Sequence, residues 1–250
     1  MSENQKKIWI TGASSGIGKA VAEKFAKEGW KVAVSARRKE LLDELSKNQN
    51  ISSFPLDVTD RSQIKNTFKN ILNEFNELDI CLFSSGTYEP KDEQSIDPDR
   101  IKNVINVNFL GVIDCVKTVE DYFKNKKTGH ISIVSSIAGY RGLPNSSGYG
   151  PSKAALTNFC ESIYFDFKKF GVRVSIISPG FIKTSLTEKN EFPMPFLKTV
   201  DYAAEKIFNG LVKSNSFEIH FPKGLTLTLK FLRILPIKAY LFLVDKLVKR

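Results

Sequence analysis

The sequence predicts an α/β fold, a doubly wound parallel sheet of about seven strands with helices on both faces, followed by a helical C-terminal extension. Three observations predict it. Short apolar runs rich in Val, Ile and Phe alternate with longer helical patterns, as repeated strand–helix–strand units require. Most of these runs are continuously apolar, as parallel strands covered on both faces must be. The length, 250 residues, suits one α/β domain with a sizeable core. No internal repeat or linker divides the chain, so residues 1–224 read as one domain and 225–250 as an appendage to it.

Composition narrows the function classes. With 42% apolar and 26% charged residues, disordered and collagen-like classes drop out. The net charge of +10 would serve nucleic acid, an anionic cofactor or an anionic membrane surface, or simply a solvated exterior. No basic stripe with interleaved aromatics occurs within the core domain, so no nucleic-acid partner is expected. Cys81, Cys115 and Cys160 are far apart and form no CxxC, which argues against a disulfide framework or structural zinc and reads as three buried small hydrophobes. His130 and His220 are isolated, so no metal is expected. The polar N-terminus shows no signal peptide, and no run reaches roughly 18 uncharged apolar residues. A cytoplasmic location is the expectation.

Taken in chain order, Ile8-Trp9-Ile10 is the first strand, and Lys19 to Glu28, with Val21, Phe25 and Ala26 near one face, the first helix. Between them runs Thr11-Gly12-Ala13-Ser14-Ser15-Gly16-Ile17-Gly18. Glycines there allow a tight turn and close backbone approach to a pyrophosphate, and the following helix N-terminus offers it free N–H groups. The spacing of Gly12, Gly16 and Gly18 differs from GxGxxG, and with its flanks this stretch resembles the classical short-chain dehydrogenase/reductase family. That resemblance covers roughly Lys6 to Phe221 and implies a Rossmann-like catalytic domain.

The second strand, Val32-Ala33-Val34, leads into Ser35-Ala36-Arg37-Arg38. An acidic residue here would favour a ribose 2′-hydroxyl and repel a 2′-phosphate. Two arginines match phosphate instead, so NADP(H) is expected over NAD(H); the alternative is that both begin a solvated helix. The resemblance adds Ser14 to the 2′-phosphate site. The third strand, Ser53 to Leu56, closes on Asp57-Val58. In the family such an Asp binds the adenine amino group and the next backbone follows the ring, although an Asp there equally caps a helix. The next helix, Asp60 to Glu74, has an acidic start. Strand four, Ile80 to Phe83, continues into Ser84-Ser85-Gly86, where the family has Asn-Asn-Ala-Gly. The resemblance keeps Ser85 and Gly86 beside the cofactor, while Phe83 and Ser84 replace the two asparagines that brace the sheet centre.

Arg100 to Lys124 is long enough for one or two helices and contains Asn108; Ile131 to Val134 is the fifth strand, followed by Ser135-Ser136. In the helical stretch Ser152 to Phe170, Lys153 stands four residues after Tyr149, so the two share a face. A free tyrosine titrates near 10. An adjacent ammonium would favour its phenolate, and two or three pH units of that preference correspond to roughly 3–4 kcal/mol. Together Asn108, Ser136, Tyr149 and Lys153 resemble the family's tetrad. The resemblance implies that Tyr149 exchanges a proton with a carbonyl or alcohol oxygen, Ser136 orients that oxygen, Lys153 also holds the nicotinamide ribose, and Asn108 positions a water beside Lys153. Ser135 is adjacent, and spacing favours Ser136.

The sixth strand, Val172 to Ile177, runs into Ser178-Pro179-Gly180-Phe181-Ile182-Lys183-Thr184. In the family Pro179 and Gly180 turn under the nicotinamide, while Ile182 and Thr184 meet its carboxamide. Ser185 to Thr199 then forms a short lid whose Phe192, Met194 and Phe196 serve an apolar substrate or simple packing. The seventh strand is Phe217 to Phe221. The expected activity is NADP(H)-dependent hydride transfer to or from a small-molecule carbonyl or alcohol, in a homodimer or homotetramer as is common in the family. A catalytically silent NADP-binding regulator is the rival class, which an intact tetrad disfavours.

Residues 225–250 carry six Lys/Arg and one Asp around apolar positions. Ile237, Tyr240, Leu241, Val244 and Val248 fall on one helical face, and Pro236 breaks this helix from the segment before it. Packing at the substrate mouth or a subunit interface and peripheral contact with an anionic membrane, on its inner face, both fit; Lys246, Lys249 and Arg250 suit the second. A frayed, solvated end does not, because the apolar area is too large.

Overall fold

Even where a strand is buried on both sides, its pleat sends alternate side chains to opposite layers. In β1 (Lys7–Thr11), Ile8 and Ile10 join a core cluster with Val21 and Phe25, while Trp9 joins one with Ile64 and Phe68. The computed structural model describes residues 5–88, 96–190 and 192–248. Its sheet adds β2 (Lys31–Ser35), β3 (Ile51–Ser53), β4 (Ile80–Phe83), β5 (His130–Val134), β6 (Arg173–Pro179) and β7 (Glu218–Phe221). The order is β3-β2-β1-β4-β5-β6-β7 and every pairing is parallel, the doubly wound arrangement expected. The chain moves outward from β1 to β3, then crosses back to pair β4 with β1. That reversal opens a crevice at the carboxyl ends of the strands.

One face of the sheet carries α1 (Gly16–Lys27), α2 (Lys39–Leu45) and α7 (Val200–Lys213), through Phe25, Leu42, Ile207 and Phe208. The other carries α3 (Arg61–Phe75), α5 (Gly111–Lys126) and α6 (Tyr149–Lys168), through Phe68, Val119 and Leu156. Asp60 starts α3 by accepting from the amides of Ser62 and Gln63, and Thr199 starts α7 by accepting from Tyr202. Cys81, Cys115 and Cys160 are free and buried, and burial pushes all three thiols up.

The structure departs from the sequence reading in three places. The third strand runs Ile51–Ser53 rather than Ser53 to Leu56: its paired register with β2 stops at Ser53 opposite Val34. Phe54 and Leu56 still donate to Val34 and Ala36 of the neighbouring segment at 2.9 and 3.0 Å. The stretch from Arg100 onward, read as one or two helices, is two, α4 (Pro98–Ile105) and α5, joined by one π-helical turn over Asn106–Leu110. Helices α2 and α7 add to the elements the sequence predicts, and α7 buries Ala203, Ala204, Ile207, Phe208 and Leu211 at helical spacing.

Finally, α8 (Lys223–Ile234) straddles the boundary drawn between residues 224 and 225, with Leu225 and Thr226 buried. Pro222 at the N-cap ends the chain's run beside β6 and starts this helix immediately. Helix α9 (Ile237–Val248) follows the break at Pro236. Lys249 and Arg250 lie outside the described residues. Among the described residues no helix is long and apolar enough to cross a membrane.

Candidate active site

At the end of β1 the chain turns through Gly12, whose φ of 70° is left-handed and whose added Cβ would stand 2.7 Å from the Ser84 carbonyl oxygen. Gly18 packs the first turn of α1 onto this loop: a Cβ there would lie 2.4 Å from the Gly12 oxygen. Ser15 occupies the N-cap of α1, yet its hydroxyl makes no cap hydrogen bond. It accepts instead from Arg38 Nη2 at 2.9 Å, as does the Ser14 hydroxyl. The first amides of α1 are thus left without a side-chain cap at the rim of a cleft of about 1210 Å³.

That cleft is lined by Gly12, Ser14, Ser15, Gly16, Ile17 and Gly18 from the turn, and by Arg37 and Arg38 from the end of β2. Asp57, Val58, Ser85, Gly86, Pro179, Gly180, Ile182 and Thr184 line it too. Uncapped helix amides, two guanidinium groups and a glycine cradle that a Cβ would fill form a donor set matched to an anionic dinucleotide. Asp57 is partly engaged in a turn, its Oδ1 accepting from the Thr59 amide at 2.9 Å and the Thr59 hydroxyl at 2.8 Å. Thr187 locks the Ile182–Thr184 segment by donating from Oγ1 to the Ile182 carbonyl at 2.6 Å and accepting from the Thr184 amide at 2.9 Å.

The same cleft brings together Ser136, Tyr149 and Lys153. Ser136 follows β5 and caps a 3-10 turn over Ile137–Gly139, its Oγ accepting from the Ala138 amide at 3.2 Å. Its neighbour Ser135 has a different job. That hydroxyl is buried and donates to the Lys153 carbonyl of α6 at 2.8 Å, tying strand end to helix. Tyr149 is the first residue of α6, so Lys153 lies one turn on, with Nζ 5.6 Å from the Tyr149 ring centroid. Lys153 is only 4% exposed and donates to the Val134 carbonyl at 3.0 Å. Burial alone pushes its ammonium down to about 8.

Asn108 does not line the cleft but lies fully buried in the π-helical turn beneath it. Its Oδ1 accepts from the Thr87 amide at 2.7 Å, and its Nδ2 donates to the Thr87 carbonyl and the Ser152 hydroxyl, both at 3.1 Å. The amide therefore clamps the chain after β4 to α6. A methyl group on Gly86 would lie 3.5 Å from both Asn108 Oδ1 and Lys153 Nζ, so these side chains are neighbours across that glycine.

Sequence reasoning missed part of the wall. The Tyr88 ring packs on Tyr149 with centroids 4.8 Å apart, and no motif marks it. Leu143 and, from α8, Leu225, Leu229 and Leu232 also line the cleft. The loop between Ser136 and Tyr149 is gripped by the C-terminal helices. Arg141 Nη1 donates to the carbonyls of Leu232, Arg233 and Leu235 at 2.9–3.1 Å, and its guanidinium lies 4.1 Å from the Tyr240 ring centroid. Tyr240 donates to the Gly142 carbonyl at 2.6 Å, and Tyr140 donates to Glu218 of β7 at the same distance.

Residues 6–193 match the family described as short chain dehydrogenase. An uncharacterized oxidoreductase of Myxococcus xanthus is 33% identical over 232 residues, 91% of each chain. A short-chain dehydrogenase from Streptomyces avermitilis superposes with a TM-score of 0.84 at 23% identity, covering 99% of this chain and 98% of that one, which speaks to the fold. The NADP-bound structure of ElxO superposes with a TM-score of 0.78 at 28% identity, covering 90% and 99%.

Two outcomes are expected from this geometry. Gly18→Ala should cost about 1–3 kcal/mol by urea unfolding, because the methyl meets backbone that must move. Gly142→Ala, with nothing within 4 Å of the added carbon, is the control and should be near neutral. The second concerns Lys153, whose ordinary value is 10.5 and which burial lowers to about 8. Below pH 8 folded and unfolded chains both carry the proton, and the fold bears the full cost of a buried charge. Between about 8 and 10.5 only the unfolded chain retains it, so stability of the cofactor-free protein rises with pH, by about 3 kcal/mol over the window. Lys153→Met should remove that rise; an unchanged slope would place the titration elsewhere.

Proposed function

Because the chain belongs to the short-chain dehydrogenase family, we propose that it is an NADP(H)-dependent oxidoreductase acting on an apolar carbonyl or alcohol, with Tyr149 as its acid/base. One observation carries this reading: Ser136, Tyr149 and Lys153 line the same cleft as the glycine turn and Arg37–Arg38. Gly12 to Gly18 would hold the pyrophosphate, Ser14, Arg37 and Arg38 the 2′-phosphate, and Asp57 and Val58 the adenine. Ser85, Gly86, Pro179, Gly180, Ile182 and Thr184 would flank the nicotinamide. When bound, the dinucleotide supplies the hydride in reduction and accepts it in oxidation.

The protein's own groups manage the oxygen. Tyr149 gives its hydroxyl proton to the carbonyl oxygen as that oxygen becomes an alcohol, and takes it back in the reverse direction. Ser136 donates a hydrogen bond to the same oxygen and orients it. The Lys153 ammonium, one helical turn away, favours the phenolate left on Tyr149. Asn108 acts through position, holding the Thr87 backbone and Ser152 so that Lys153 keeps its place.

Leu143, Leu225, Leu229, Leu232 and Phe196 on the cleft wall support an apolar substrate. A homodimer or homotetramer belongs to the same reading, as is common in the family.

The chain should bind NADPH more tightly than NADH, and Arg37→Ala/Arg38→Ala should erase most of the difference, measured by fluorescence titration. Equal wild-type affinities would falsify the cofactor assignment. Tyr149→Phe should keep cofactor affinity and lose roughly 10²–10⁴-fold in turnover across a panel of apolar ketones. Turnover within a few-fold of wild type moves the proton to another group. A wild type that binds NADPH and turns over no ketone or alcohol points to a silent cofactor-binding regulator.

A further inference from the structure

The two C-terminal helices leave a large apolar face uncovered. Along α8, Leu227, Phe231 and Ile234 follow i, i+4 and i+7 and are 55%, 61% and 77% exposed. On the other side of the same helix, Leu225, Leu229 and Leu232 line the cleft. Beyond the break at Pro236, α9 also exposes apolar side chains: Ile237, Leu241 and Phe242 are each more than half exposed. Among the described residues, α9 is anchored to the body through buried Tyr240, held by Gly142 and Arg141. So many large apolar side chains exposed on two successive helices are costly in water.

Charge selects the occupant. Described residues 223–248 carry Lys223, Lys230, Arg233, Lys238 and Lys246 against the single acid Asp245. Lys230 is committed to Glu218, and Lys246 Nζ lies over the Phe242 ring at 4.5 Å, beside the apolar face. A second copy of the chain would bring the same cations to a self-complementary contact and repel. An anionic lipid surface satisfies both halves of the pattern, with apolar side chains entering the acyl boundary and cations meeting headgroups. Neither helix can span, at 12 residues each, so the fit is parallel to the surface.

We propose that α8 and α9 dock this protein onto anionic membrane, with α8 shared between the lipid-facing surface and the cleft wall. The contact does not depend on the redox reading, and it is read without turnover. Full-length protein is sedimented with vesicles of phosphatidylcholine containing phosphatidylglycerol, and with phosphatidylcholine alone. Binding to the anionic vesicles, weakened by salt, is expected. Ile237→Glu/Leu241→Glu/Phe242→Glu should abolish it, and Lys238→Glu/Lys246→Glu should reduce it at least ten-fold, since each surface cation contributes roughly five-fold. All these side chains are exposed, and circular dichroism with NADPH titration reports whether each variant stays folded. No vesicle binding by the wild type overturns the proposal, as does equal binding to both vesicle types. So does an analytical ultracentrifugation result in which the triple substitution lowers the mass of a protein that ignores vesicles, because the face then joins two copies.

Discussion

The arrangement at the carboxyl end of the sheet depends on one lysine taken out of water. Lys153 is 4% exposed, and burial alone accounts for its lowered affinity for a proton. Such a group is stable only where the fold supplies oxygen lone pairs at fixed positions. Here the Val134 carbonyl at the end of β5 provides one. The backbone of Lys153 is held as well, since Ser135 donates to its carbonyl and Gly139 admits it at a distance no side chain would allow. The end of β5, the 3-10 turn after it and the first turns of α6 are therefore one unit. Ser136 and Tyr149 take their positions from that unit.

Much of this was legible because it is local. A four-residue step on a helix puts Tyr149 and Lys153 on one face whatever the rest of the chain does. A glycine turn between strand and helix announces itself in the same way, as do Arg37 and Arg38 at a strand end. The parallel sheet could be read from continuously apolar runs. What escaped depends on contacts between distant segments. Nothing near Tyr88 in sequence says that its ring packs on Tyr149. The role of Ser135 as a strut, and of Asn108 as a clamp within a π-helical turn, follows from what stands opposite them. The sequence leaves the C-terminal helices to pack at the substrate mouth, at a subunit interface or on a membrane. Which leucines line the cleft was not legible, because their period identifies a helix and not the surface that its inner face meets.

Stability is given up where the cleft needs it. Helices α3, α4 and α7 begin on Asp60, Asp97 and Thr199, whose side chains accept from the first-turn amides. A cap of this kind contributes about 1 kcal/mol. At α1 the N-cap serine turns its hydroxyl to Arg38 instead, leaving the amides without that partner. The consequence is a concentration of positive potential on the cleft wall, made from a helix terminus and two guanidinium groups. Leucines and aromatic rings line the same cleft. One cavity thus joins a polar donor set and an apolar wall, and Tyr149 lines it with both.

The grip of Arg141 and Tyr240 on the loop beyond Ser136 makes the C-terminal helices and the cleft thermodynamic partners. If that loop has a tighter and a looser arrangement, any contact that favours the tighter one from outside lowers the cost of filling the cleft. A molecule filling the cleft strengthens the outer contact by the same factor. The reciprocity needs no signal passed along the sheet, only the guanidinium that three carbonyls of α8 and its exit share. Occupancy of the pocket and residence at a surface would then be two readings of a single equilibrium.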